Sequence, residues 1–232
     1  MTHARELPLG STGAPRESLA DHVYRTLLDG ITSGALDPGQ HLREVQLAQQ
    51  FRVSTTPIRE ALRRLEREGL VHVSPHRGAI VAEFDATAVA NLYDVRQVLE
   101  CHAIRQAAAV ADRDFSRIEE LLADMARVID APDQVRFNQL DLALHRELDD
   151  LGGNPQLSDL AARVHRQIQG VRARCAVHLP GRPSTSHAQH QAILIAVRTR
   201  DAAAADALVR EHIESVRNVV VRVLARGADP GG

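Results

Sequence analysis

The chain contains no lysine and no tryptophan, and aromatic residues make up only 3% of it. So few rings argue against binding single-stranded nucleic acid by base stacking, which needs several aromatic platforms. Without lysine, all fixed positive charge sits on arginine, which we read as compositional bias rather than mechanism. Cysteine is scarce too. Cys101 and Cys175 lie far apart in apolar helical patterns, so a reduced, buried pair is expected rather than a disulfide framework. No apolar run reaches membrane-spanning length and no signal peptide is recognisable, so a soluble, cytoplasmic protein is expected. Twenty-eight basic against 30 acidic side chains leave a formal charge of −2, which excludes a general polycation. A length of 232 residues suits one or two domains with a sizeable core. Residues 1–16 and 227–232 have the Gly/Pro/Ser-rich composition of disordered tails.

The positive charge that exists is concentrated. Residues 52–77 hold six arginines against three glutamates. Within them Ile58, Ala61, Leu62 and Leu65 recur at i, i+3, i+4 and i+7, the stripe of an amphipathic helix. Arg59, Arg63 and Arg67 form a cationic line beside it. Ser54 or Thr56 can cap the start, Pro57 is tolerated in the first turn, and Gly69 marks the stop. Such a helix fits the major groove of DNA. The alternative is a solvated helix of Arg/Glu pairs, given Glu60, Glu66 and Glu68.

Its surroundings favour DNA. Leu19, Val23, Leu27 and Ile31 predict a first helix ending near Gly34, and Asp37-Pro38-Gly39 a turn. Val45, Leu47, Ala48 and Phe51 give a short helix that Glu44 can start. Arg52-Val53 leaves only a tight connection, the spacing of a helix-turn-helix. Afterwards Val71 and Val73 alternate with polar residues, residues 75–78 turn, and Ile80-Val81 returns as a second strand. This hairpin reads as a wing with a basic tip.

Residues 19–84 resemble the DNA-binding domain of GntR-family bacterial regulators. The resemblance rests on the run from Val53 to Leu65, on Glu68-Gly69-Leu70-Val71, and on His76-Arg77-Gly78 of the wing. It implies DNA contacts from Thr55, Thr56, Arg59, Arg63, His76, Arg77 and Gly78, and a two-fold homodimer reading an inverted repeat in double-stranded DNA. Thr55 stands where the family usually carries arginine, which bears on the operator sequence rather than on the mode of binding.

From about Ala86 no strand signal remains. Punctuation at residues 112–114, 131–133, 152–155, 180–183 and 200–201 separates six helices, near 86–110, 114–130, 133–151, 155–178, 184–199 and 202–226. The expected fold is mostly α: a winged helix-turn-helix over residues 17–84, then an all-α bundle of six or seven helices over 85–226. Leu92, Val95, Leu99 and Ala103 mark the inner face of the first bundle helix, and Leu208, Val216, Val219 and Val223 that of the last. Several inward positions are polar. Asp141 and His145 share a face with Phe137, Leu144 and Leu148; His190 lies with Ile193, Leu194 and Val197; His212 interrupts the series of the last helix. A buried polar group without a partner costs roughly 2–7 kcal/mol, so Asp141 needs one. Together the four can ligate one divalent metal. The competing reading is a satisfied core in which Asp141 merely orients His145. His187 reads as a helix-start residue near the rim, and His102, His165 and His178 as surface or packing residues. Arg96 also faces inward, paired either with Glu100 one turn on or with an effector carboxylate.

Residues 87–226 resemble the all-helical ligand-binding domain, called FCD, of the FadR subfamily. Its metal-binding members carry an Asp-x3-His helix, a histidine before an apolar run, and a later histidine. Those positions here are Asp141, His145, His190 and His212. Arg200-Asp201 departs from the Gly-Asp common before the last helix, which concerns a turn. The resemblance implies a divalent cation (zinc first, nickel or manganese as alternatives), a small organic-acid effector met by Arg96, and repression relieved by that metabolite. Two other functions stay open at this level: a DNA-binding protein with a purely structural metal, and a metal-dependent enzyme.

Overall fold

The computed structural model of the chain describes residues 18–74, 77–111, 113–129, 134–175 and 182–227. Helix α1 (Leu19–Ser33) starts where the Ser18 hydroxyl accepts from the Asp21 N–H at 3.0 Å and stops at Gly34, in the left-handed region at φ 79°. Helices α2 (Glu44–Phe51) and α3 (Thr55–Arg67) follow. Ser54 occupies the position before α3 with extended backbone, but its side chain makes no capping bond. The buried stripe of α3 is Ile58, Ala61, Leu62 and Leu65, as the periodicity predicts. With Val23, Leu27 and Ile31 of α1 these residues form the core of the N-terminal head.

The wing is an antiparallel pair, β2 (Val71–Ser74) and β3 (Gly78–Val81), in register Val71↔Val81. A further strand, β1 (His41–Leu42), pairs with β3 and gives the order β1-β3-β2. Two residues carry no readable alternation, which is why the sequence pattern did not predict β1.

The bundle comprises α4 (Ala86–Ala109), α5 (Ser116–Val128), α6 (Gln134–Leu151), α7 (Pro155–Cys175), α8 (Arg182–Arg198) and α9 (Ala202–Gly227). Asp85 caps α4 through the Ala88 N–H at 2.7 Å, and Asn154 caps α7 ahead of Pro155. Two inner faces are rotated from expectation. On α4, Val95 is 49% exposed, while Val89, Tyr93, Arg96, Glu100 and Ile104 are buried. Arg96 is inward and paired with Glu100, as its spacing from Leu92 and Leu99 predicts; what differs is the apolar complement, with Val89, Tyr93 and Ile104 inward in place of Val95. On α9 the buried line is Ala205, Val209, His212, Ile213, Val216 and Val220, with Leu208, Val219 and Val223 packed at its flanks. Cys101 and Cys175 are buried and unbridged, and burial first of all pushes the Cys101 thiol up to about 11. No described helix is long and apolar enough to cross a membrane.

Candidate functional site

The head presents one arginine-rich face. Thr56, Arg59, Glu60, Arg63, Glu66 and Arg67 line a shallow concavity along α3. Arg63 and Arg67 are exposed and make no ion pair among the described residues, and the same holds for Arg43, Arg52 and Arg77. Arg59 is different: its Nε donates to Glu44 Oε2 at 2.7 Å. Arg64 points to the other side, stacked over Tyr24 at 4.0 Å and paired with Asp21 at 2.5 Å, so it ties α3 to α1. Thr55 is half-buried and Thr56 exposed. Gly78 is buried at φ 103°, and a side chain there would run into the Leu42 carbonyl; its place is under the β1–β3 pairing, with Arg77 exposed beside it. His76 lies outside the described residues.

In the bundle, α6, α8 and α9 bring His145, His190 and His212 together. All three are buried, and their Nε2 atoms stand 3.3 Å apart in each of the three pairings. Metal–imidazole bonds of about 2.0–2.1 Å in a tetrahedral shell put neighbouring nitrogens roughly 3.3–3.4 Å apart. The triangle thus has the size of such a face. Asp141 Oδ1 is fully buried without a hydrogen-bond partner, 3.7 Å from His190 Nε2 and 4.0 Å from His145 Nε2. Burial pushes His190 down to about 3 and, with His190 and His145 as neighbours, pushes His212 well below its usual value. Neutral imidazoles offer the lone pairs a metal requires. The donor set fits a divalent cation.

Around this triangle are charges that the sequence reading only partly anticipated. Asp141 does have a partner: Arg172 of α7 donates to Oδ2 at 2.5 Å. Burial would raise the Asp141 carboxyl, but the Arg172 guanidinium and then the histidines hold it well below the ordinary carboxylate range. Arg96, 1% exposed, pairs with Glu100 and donates from Nη2 to His145 Nε2 at 2.8 Å. Glu100 Oε2 also lies 2.9 Å from His145 Nδ1, a contact off the hydrogen-bond line that nonetheless orients the ring. His187 turns away, its Nε2–H donating to the Leu122 carbonyl at 3.0 Å.

His165 is not the surface or simple packing residue expected. It is buried, 3.3 Å from Glu100 Oε1 and 3.2 Å from Asp149 Oδ2, and forms a second group of potential ligands with them. Burial, then the Glu100 charge, raises the Asp149 carboxyl, and burial lowers His165 to about 4. Here the donors and acceptors already satisfy one another, in contrast to the orphaned Asp141 oxygen. Leu157, Ala161, His165, Ile168 and Arg172 form the buried stripe of α7, so the argument applied to α6 would also have found His165 and Arg172. His102 is exposed, and His178 lies outside the described residues.

The opposite side of α7 meets the head. Arg166 Nε donates to Glu68 Oε2 at 2.5 Å, Gln167 Nε2 to the Glu68 carbonyl at 2.6 Å, and Tyr24 Oη to Glu68 Oε1 at 2.6 Å. Glu68 closes the C-terminus of α3. One helix therefore touches both the buried histidine cluster, through Arg172 and Asp141, and the arginine helix, through Glu68.

Comparisons with known proteins bear on both halves. Residues 19–81 match the model of "Bacterial regulatory proteins, gntR family", and residues 91–215 that of the FCD domain. The chain is 31% identical to the Nta operon transcriptional regulator of Aminobacter aminovorans, covering 83% of this chain and 93% of that one. It is 26% identical to the HTH-type transcriptional repressor RspR of Escherichia coli strain K12, over 93% and 94% of the two chains. The solved structure of E. coli McbR/YncC shares the fold with a TM-score of 0.78 at 21% identity, covering 88% of this chain and 98% of that one. With the arginine helix in its winged head and the helical bundle behind it, the chain belongs to the GntR family of DNA-binding transcription regulators, with an FCD domain as its C-terminal half and no enzymatic activity implied.

Proposed function

We propose that the protein is a cytoplasmic, homodimeric repressor whose operator affinity is set by a small carboxylate metabolite bound at a divalent cation in the bundle. The observation that carries this reading is the triangle of imidazole nitrogens at 3.3 Å beside an unpartnered, buried Asp141 oxygen. Asp141, His145, His190 and His212 would hold the cation, zinc first, with nickel or manganese accepted by the same donors. The cation would supply positive charge and open coordination positions for a carboxylate oxygen. With His145 Nε2 so engaged, Arg96 Nη2 would need a new acceptor, and a carboxylate effector provides one. In the head, Thr55, Thr56, Arg59, Arg63, Arg77 and the wing residue His76 would meet operator DNA, two heads reading an inverted repeat, while the buried Gly78 would serve only to shape the wing. Repression is supported by the names of two relatives, RspR and the NanR repressor of Cronobacter sakazakii, which is 30% identical over 90% of this chain. An effector shifts DNA affinity only through differential binding to two arrangements of head and bundle, and α7 is the contact through which these would differ.

The test is metal content of the purified protein by mass spectrometry, wild type beside His190→Ala, followed by operator titrations with and without carboxylates. About one equivalent per chain, lost in the variant, is expected. No metal in either after incubation with zinc or nickel would overturn the site. A second reading, a structural metal without an effector, is favoured by the Arg96–Glu100 pair, since that guanidinium already has a counter-charge. Operator affinity unchanged across a carboxylate panel in metal-loaded protein would select it.

A further inference from the structure

Arg59 stands apart from the other exposed arginines of the head. Its Nε is bound by Glu44, whose side chain is only 9% exposed, while Arg59 itself is 48% exposed. Glu44 is a buried residue that opens α2, a helix whose Leu47 and Ala48 share one core with the α3 stripe. The bond joins the two helices of the helix-turn-helix, 15 residues apart in sequence. It occupies one edge of the guanidinium and leaves both terminal Nη groups without a protein partner among the described residues. Arg43, Arg52, Arg63, Arg67 and Arg77 have no such restraint.

The distinction matters because the two kinds of DNA contact make different demands. A phosphate accepts a mobile point charge, and such contacts carry no sequence information. A bidentate pair with guanine O6 and N7 needs a guanidinium plane fixed in direction. Holding the side chain beforehand also lowers the ordering cost of binding. The start of α3 carries Thr55 and Thr56, so it offers no second fork.

We propose that Glu44 is a positioning residue for sequence recognition: it presents Arg59 as a guanine reader, while Arg63 and Arg67 act as phosphate contacts. The proposal rests on the reading of α3 as the groove-facing helix.

The experiment uses full-length protein and a duplex it selects from a random library. Single guanines of that duplex are replaced by 7-deazaguanine, which lacks the N7 acceptor. For wild type, one guanine per half-site should cost about 5- to 150-fold in affinity when replaced. Glu44→Ala, which removes the acceptor for Arg59 Nε, should bring that ratio close to one while the salt slope is unchanged. Arg59→Lys should do the same, since it keeps charge but loses the fork. Arg63→Ala should leave the ratio intact and reduce the salt slope by about 1. Glu44→Asp keeps a charge at the start of α2 but withdraws the carboxylate from Nε, so it should also lose discrimination, and thermal melts verify that each variant is folded. If Arg59→Ala loses discrimination but both Glu44 variants keep it, the role of Glu44 is overturned and Arg59 remains a reader. If Arg59→Ala keeps it, Arg59 leaves the reading set and the proposal falls with it.

Discussion

The buried imidazoles link acidity to stability. Folded His165 titrates near 4 and His190 near 3, both depressed first by burial, whereas an unfolded histidine titrates near 6.5. A depressed folded value means stability is fully present above the unfolded value and is lost as pH falls toward the folded one. Asp149, raised to about 8, binds its proton in the folded state first and so offsets one histidine over this window. His165, His190 and His212 outnumber it, so chelator-treated protein should still melt at progressively lower temperature between about pH 6.5 and 4, and His165→Gln should flatten that dependence. A melting temperature independent of pH across this window would contradict the burial argument. A second effect concerns Arg200, held at φ 58° in the turn before α9. A side chain in that region costs on the order of 1 kcal/mol. Arg200→Gly should stabilise by about 0.5 kcal/mol in denaturant unfolding, because glycine's greater unfolded freedom offsets part of the relief. That position was legible in the sequence as a departure from glycine. The Arg172–Asp141 pair was not: 31 residues separate the partners, and only the packing of α7 on α6 brings them together.

Among the elements, α7 is held from two sides, by Asp141 in the bundle and by Glu68 in the head. Gly170 lies against the C-terminal turn of α1, where an added Cβ would stand 2.8 Å from the Ile31 carbonyl oxygen. Backbone cannot rotate aside as a side chain can. Gly170→Ala would gain about 1 kcal/mol in helix propensity, but overpacking typically costs 1–3 kcal/mol. Net destabilisation of about 1 kcal/mol is expected in thermal or urea unfolding, and a stabilised variant would mean that α1 moves away without cost. The sequence conveys the existence and extent of α3 and the bundle helices well, since each has caps, breakers and a long apolar period. On α4 it places Arg96 inward with Glu100 but mistakes Val95 for a buried residue and misses Tyr93, because a polar stripe inside the core leaves the apolar positions of that helix unevenly spaced. Likewise β1 exists because β3 offers it an edge, not through any pattern of its own.

For the molecule as a whole, head and bundle meet at Glu68. Its carboxylate collects Tyr24 from the head and Arg166 from α7, and its carbonyl accepts from Gln167. Arg166→Ala combined with Gln167→Ala should loosen the head without disturbing either core, giving faster proteolysis between residues 82 and 86 while far-UV circular dichroism stays the same. An unchanged cleavage rate would show that apolar packing alone holds the two parts. None of this docking was readable beforehand, because motifs within each half say nothing about how one half rests on the other. The histidine triangle has one more consequence. Its corners are separated along the chain by 45 and 22 residues. A cation gripping all three would close two chain loops at once, much as cross-links do, and most of that effect would fall on the unfolded ensemble. Loss of the ion would then register as a chain with more ways to be unfolded, not as a visibly altered native bundle.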